Sequence, residues 1–271
     1  MYSTIPILKN SKTGKIVGTH QKLDRAARRS LPRILSTSVN FPSSKEIVYF
    51  EGSRGPDGLK RKSPGIDEPT HFIIPGDDDG NLIKIILDHQ HNLKNALKKN
   101  DRVRAAFEAA WLAHAITDGL TPAHHFPLSD AADELMTKKE FVKIFGQPIK
   151  GIMHGETALE TVRNNWRYWG AGGYMSKHVA FEYGVAITTA AIPYKTLTTK
   201  ITIKDRKNLN LEQIFYKSLK KVSKLDMYNR FCKEGWTTEI ASEVKRILLP
   251  EIIKVIALAW LSAIPDKLEE K

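Results

Sequence analysis

Only one of the 271 residues is cysteine, Cys232. No intrachain disulfide can form and no thiolate metal cluster can be built. Packing must therefore hold the fold, and any transition-metal site must draw on His, Asp and Glu. Long apolar runs are also scarce. Met1 to Gly18 holds no stretch of signal-peptide length. The most apolar late segment, Ile252 to Ile264, is too short to cross a bilayer and contains Lys254, so it reads as a buried helix. On the sequence as given the chain is expected to be cytoplasmic, or exported if its true start lies upstream. There is no internal repeat, no low-complexity linker that demands a second domain, and no motif for a Ser or Cys nucleophile.

Hydrophobic residues make up 41% of the chain, enough for a sizeable core and too many for wholesale disorder. Lys and Arg number 42 against 30 Asp and Glu, a net charge of +12. That excess favours anionic partners: phosphodiesters, nucleic acid or an anionic membrane surface met peripherally. Solubility accounts for it equally well.

Residues 1–18 read as an extended arm. A helix is expected from Thr19 to Leu31, ahead of Pro32. Residues 41–80, rich in Pro, Gly and Asp, read as a long loop region. Helices are expected at 81–99 and at 102–118, the second capped by Asp101 and ended by Gly119. Others follow at 131–145, 155–169, 176–192, 211–224 and 237–263, with Pro250 kinking or breaking the last. Thr196 to Lys204 alternates apolar and polar residues and reads as a short strand or a lid. Residues 195–224 carry nine Lys or Arg and two acids; a solvated face is the plainer reading of that charge. The expected fold is all-α, a single-domain helical bundle, monomeric.

The most informative stretch is Ala109 to Pro127. His114 and Asp118 stand four apart, so a helix puts imidazole and carboxylate on one face, one turn apart. Gly119 and Pro122 then turn the chain, and His124 can return to the same place. His178 and Glu182 repeat the four-residue spacing in Lys-His-Val-Ala-Phe-Glu-Tyr-Gly. His20 opens the first helix, and His71 follows a Pro-containing loop. A His, Asp and Glu set without Cys suits zinc in a catalytic site better than in a closed structural one.

These segments resemble the zinc-dependent phospholipase C family, which shares a helical fold and a cluster of three zinc ions with the single-strand zinc nucleases. The likeness runs in order from Gly18 to about Val185, and residues 19–265 would form the phospholipase C-like domain. The resemblance implies several ligands. Gly-Thr-His-Gln (18–21) gives His20 to a third zinc. Gly-Pro-Asp-Gly (55–58) gives Asp57 to the first zinc, with Asp67 as a rival, and Asp57 also orients the attacking water. His71-Phe72 and His114 complete the first zinc's set, and Asp118 bridges the first and third. His124, His178 and Glu182 hold the second. His125 supports its neighbours or faces substrate. His154 is a poorer match, and His89 and His91 match nothing and are expected to be ordinary helix histidines. Family members complete the third zinc with an N-terminal Trp; here no Trp precedes His20.

Two Zn²⁺ ions, with a third possible, are therefore expected, and a metal-dependent hydrolase of phosphoric diesters. Phospholipid is the first choice of substrate and single-stranded nucleic acid the second. A non-catalytic, metal-stabilised membrane-surface or binding protein is the alternative of another class. Trp166, Tyr168 and Trp169 stack bases, line an acyl-glycerol pocket, or are core and loop anchors.

Overall fold

The computed structural model describes residues 18–32, 40–51, 54–56, 61–62, 66–67, 71–76, 80–126, 153, 155–206 and 209–265. Helix α1 spans Thr19–Ser30 and carries Arg28 and Arg29 in its last turn, where cations suit the helix dipole. It stops where Pro32 bars Leu31 from helical backbone; Leu31 is extended (φ −66°, ψ 138°). The stretch read as a loop from 41 to 80 contains a helix, α2, Ser44–Tyr49. Its start is a capping box: the Ser43 side chain accepts the Glu46 N–H, and Glu46 accepts the Ser43 N–H at 2.8 Å. Farther along, β1 (Arg61–Lys62) and β2 (Ile66–Asp67) pair antiparallel, Arg61 opposite Asp67.

Helices α3 (Asn81–Lys98) and α4 (Arg102–Leu120) form a hairpin, with Asp101 capping α4 by accepting the Arg104 N–H at 2.9 Å. Gly119 does not end α4 but lies inside it. A Cβ there would stand 2.5 Å from Leu82 Cδ2 and 2.9 Å from Phe215 Cζ, so close packing, not chain reversal, requires glycine. The helix ends one residue later, where Pro122 holds Thr121 extended.

The second half is built from α5 (Ala158–Trp169), α6 (Tyr174–Ala190), α7 (Leu211–Ser223), α8 (Met227–Glu234), α9 (Thr238–Glu243) and α10 (Leu249–Ala263). Helix α8 was not expected. A π turn at Val244–Leu248 joins α9 to α10, ending two residues before Pro250. This is the expected irregularity at Pro250: the ring supplies no N–H and crowds the preceding turn, so the regular ladder is interrupted there. The expected helix at 131–145 lies outside the described residues, as do residues 1–17.

Residues 197–202 form neither helix nor strand. They lie between short 3₁₀ turns at Tyr194–Thr196 and Ile203–Arg206. Leu197 is buried, and the Thr199 N–H donates to Ser30 Oγ at 2.9 Å, so the segment straps the end of α1. Its alternating pattern has a helix, not a strand, as its neighbour.

Helices α4 and α10 are the centre of the bundle. Every residue from Glu108 to Leu120 is buried, and α10 is buried along almost its whole length. Trp260 Nε1–H donates to the Ala109 carbonyl at 2.9 Å and ties the two together. Helices apolar all round belong inside a bundle, with α1, α3 and α7 packed outside them. Among the described residues no helix is long and apolar enough to cross a membrane.

Candidate metal centre

The end of α4 carries polar groups into this core. His114 Nε2 and Asp118 Oδ2 stand 3.1 Å apart, one turn along the helix. His71 Nδ1 reaches the same oxygen at 3.2 Å. The other oxygen, Oδ1, faces His20 Nε2 at 3.4 Å and His124 Nε2 at 3.7 Å. Imidazoles from α1, the 71–76 segment, α4 and the 3₁₀ turn Pro122–His125 thus converge on one buried carboxylate.

Beside it, His124 Nε2 lies 3.0 Å from Glu182 Oε1, and His178 Nε2 lies 3.2 Å from that same oxygen. His178 and Glu182 come from one face of α6. Phe72 stacks on the His124 ring (5.1 Å, 26°). The strand of chain around it is clasped twice: Ile73 N–H donates to the His124 carbonyl, and His124 Nδ1–H donates to the His71 carbonyl, both at 3.0 Å.

That second bond sets the chemistry of His124. A carbonyl only accepts, so Nδ1 carries the hydrogen. Burial keeps the ring below its ordinary pKa, against the pull of Asp118 and Glu182. In the neutral ring Nε2 then directs a lone pair toward the Glu182 and Asp118 oxygens, an arrangement that a cation between them would satisfy. His20 points the same way: neither of its buried nitrogens makes a hydrogen bond. Donor atoms about 2.0–2.1 Å from one zinc stand roughly 3.4 Å apart in a tetrahedron. The separations here run from 3.0 to 3.7 Å.

Charge at the centre is firmly anionic. Burial would raise the Asp118 carboxyl, yet positive charge at the site and a hydrogen bond from His114 hold it well below the usual carboxylate range. Glu182 is likewise held low against burial, with a hydrogen bond from His178 contributing.

Behind His114 lies a residue the sequence reading missed. Glu51, directly after α2, is buried and places Oε2 3.2 Å from His114 Nδ1; its Oε1 makes no hydrogen bond. The His20 ring stacks on His114 at 4.0 Å. Asp24 is buried next to them, and its carboxyl is raised well above its ordinary pKa by burial first and by the Glu51 charge second. Three groups can each hold a cation: His20, Glu51 and His114; His71, His114 and Asp118; His124, His178 and Glu182. Seven expected ligands, His20, His71, His114, Asp118, His124, His178 and Glu182, are thus brought together. Asp57, the side chain of its rival Asp67, and His154 lie outside the described residues.

The remaining histidines have other duties. His125 Nε2–H donates to the Gly119 carbonyl at 3.1 Å, and burial pushes its pKa down to about 4, so it serves as a neutral clasp on the end of α4. His89 pairs with Glu108 at 2.6 Å on the far side of α4, with Arg104 on the other carboxylate oxygen. His91 is exposed.

No family model matches the chain, and no curated protein or solved structure is significantly similar to it.

Proposed function

We propose that the protein is a zinc-dependent phosphodiester hydrolase of the phospholipase C type. The observation that carries this reading is Asp118, a buried carboxylate faced by four imidazoles from four separate stretches of chain, with a second imidazole-carboxylate group built on Glu182 next to it. Nitrogen and oxygen donors without sulfur suit Zn²⁺ in a catalytic setting. Zinc held there would supply Lewis acidity and lower the pKa of a bound water to about 7.

The chain's own residues do the rest. His71, His114 and Asp118 would hold one ion, and His124, His178 and Glu182 would hold the other. Glu51 fixes the ring of His114 from behind, or joins His20 around a third ion. The His71 carbonyl keeps the His124 tautomer that leaves Nε2 bare. The Glu108–Leu120 part of α4, buried on every side, keeps these groups from relaxing toward solvent, so their dipoles are set before substrate arrives. Asp57 has the role of orienting water through the resemblance alone. A phospholipid headgroup ester is the preferred substrate.

The test is metal analysis with a parallel assay on a choline phosphodiester, mixed lipid micelles and single-stranded DNA. Two or three zinc ions per chain and activity abolished by a chelator are expected, with hydrolysis on the lipid side. Full activity in a metal-free preparation refutes the proposal.

A further inference from the structure

Helix α5 is amphipathic the wrong way round. It buries Asn164 and Tyr168, and Asn165 is tied down by exchanging hydrogen bonds with the Met153 backbone. Its opposite face presents Leu159 (81% exposed), Val162 (66%), Trp166 (68%) and Trp169 (46%). Their spacing of three, four and three residues makes one continuous apolar stripe. Tyr168 packs with Met153 and Met175 in a small cluster apart from the main core.

Cations border this stripe. Arg163 and Arg167 run along one edge of α5, Arg163 also within 3.9 Å of Glu160. At the turn into α6 there is a cleft of about 330 Å³ lined by Trp166, Arg167, Tyr174 and Lys177 and floored by Gly172 and Gly173. The cleft lies at the head of α6, and His178 follows Lys177 directly. From Tyr174 to His178 is four residues, a rise of about 6 Å along the helix.

We propose that the α5–α6 hairpin is the surface by which this protein docks on an anionic phospholipid bilayer. Tryptophan is the side chain best suited to the interface, with an apolar body and one N–H, and Leu159 and Val162 would enter the acyl boundary beside it. Arg163, Arg167 and Lys177 would meet lipid phosphates, as the surplus of cations in the whole chain allows. A nucleic acid fits this face less well, because the two most N-terminal members of the stripe are aliphatic and offer no π face to a base. The docking is argued from exposed side chains alone; only the closeness of His178 takes meaning from the proposed hydrolysis.

The experiment is co-sedimentation of the full chain with vesicles of phosphatidylcholine and phosphatidylglycerol in a two-to-one ratio, read without turnover, so a docking protein that hydrolyses nothing still answers. Binding that weakens with salt, accompanied by a blue shift of tryptophan emission, is expected. Trp166→Ser with Trp169→Ser should lower the partition onto vesicles by about tenfold or more, and Arg163→Glu with Arg167→Glu should lower it on anionic vesicles above all. Circular dichroism checks that both variants fold, and Leu159→Gln with Val162→Gln provides a third variant at largely exposed positions. Several results would overturn the proposal: no vesicle binding by the native chain, undiminished binding by folded variants, a dimer dissolved by the tryptophan changes, or an oligonucleotide displaced by them while vesicles still bind.

Discussion

Replacing Asp118 by Asn probes the centre with almost no change in volume. The substitution removes one anionic oxygen from the carboxylate that faces His20, His71, His114 and His124, and puts an NH₂ donor in its place. Without metal the variant gives up a carboxylate that the fold holds ionised against burial, so it should melt below the metal-free native protein, and the quantity to compare is each protein's own zinc shift. An ion present at a thousand times its Kd stabilises the folded chain by about 4 kcal/mol. In a chain of this length that is roughly 8–16 °C in Tm. Scanning calorimetry of both proteins, with zinc and with a chelator, should show the native protein shifted further than the variant by that amount, since His124, His178 and Glu182 remain in both. An equal zinc shift in both, or none in the native protein, would refute the assignment of Asp118 as the shared ligand.

Glu108→Ala should destabilise the fold by about 3–5 kcal/mol, since it strands buried His89, yet leave zinc content unchanged; urea denaturation and metal analysis check the two halves. Gly119→Ala should lose about 1 kcal/mol net, overpacking against Leu82 and Phe215 outweighing the gain in helix propensity, read from the same urea midpoint. The Arg102 guanidinium beside Glu46 holds that carboxyl down at about 2. Because the folded pKa is depressed, the pair's contribution is full above the ordinary value of 4.5 and fades as pH falls toward 2. Half-exposed as it is, the pair contributes roughly 0.5 kcal/mol, so Arg102→Ala should be less stable than the native protein by that amount at pH 7 and equal to it near pH 2 in denaturant titrations.

The parts of this centre that are local in sequence were legible there. His114 with Asp118, and His178 with Glu182, follow from helical spacing alone, and His124 from the turn that Pro122 imposes. His20 and His71 reach Asp118 only through tertiary packing, so only the likeness to a family pointed to them. Glu51 was hidden by its surroundings: the Pro- and Gly-rich stretch from 41 to 80 read as loop, although Ser43 and Glu46 spell a capping box that would have placed a helix just before it. Gly119 misled in the opposite sense. Glycine after an apolar helix is ordinarily a stop signal, but here the contact with Leu82 and Phe215 explains it better. Helix α5 was legible as a helix but not in its orientation, because its aromatic residues look like core until the outward side of Trp166 is seen.

The backbone clasp around His71 makes the two halves of the centre interdependent. The residue whose side chain serves the Asp118 group also fixes, through its own carbonyl, which nitrogen of His124 is bare for the Glu182 group. Whichever ion arrives first orders that shared stretch of chain, and the next finds its ring already turned the right way. Uptake should therefore be cooperative, with singly loaded protein scarce partway through a titration.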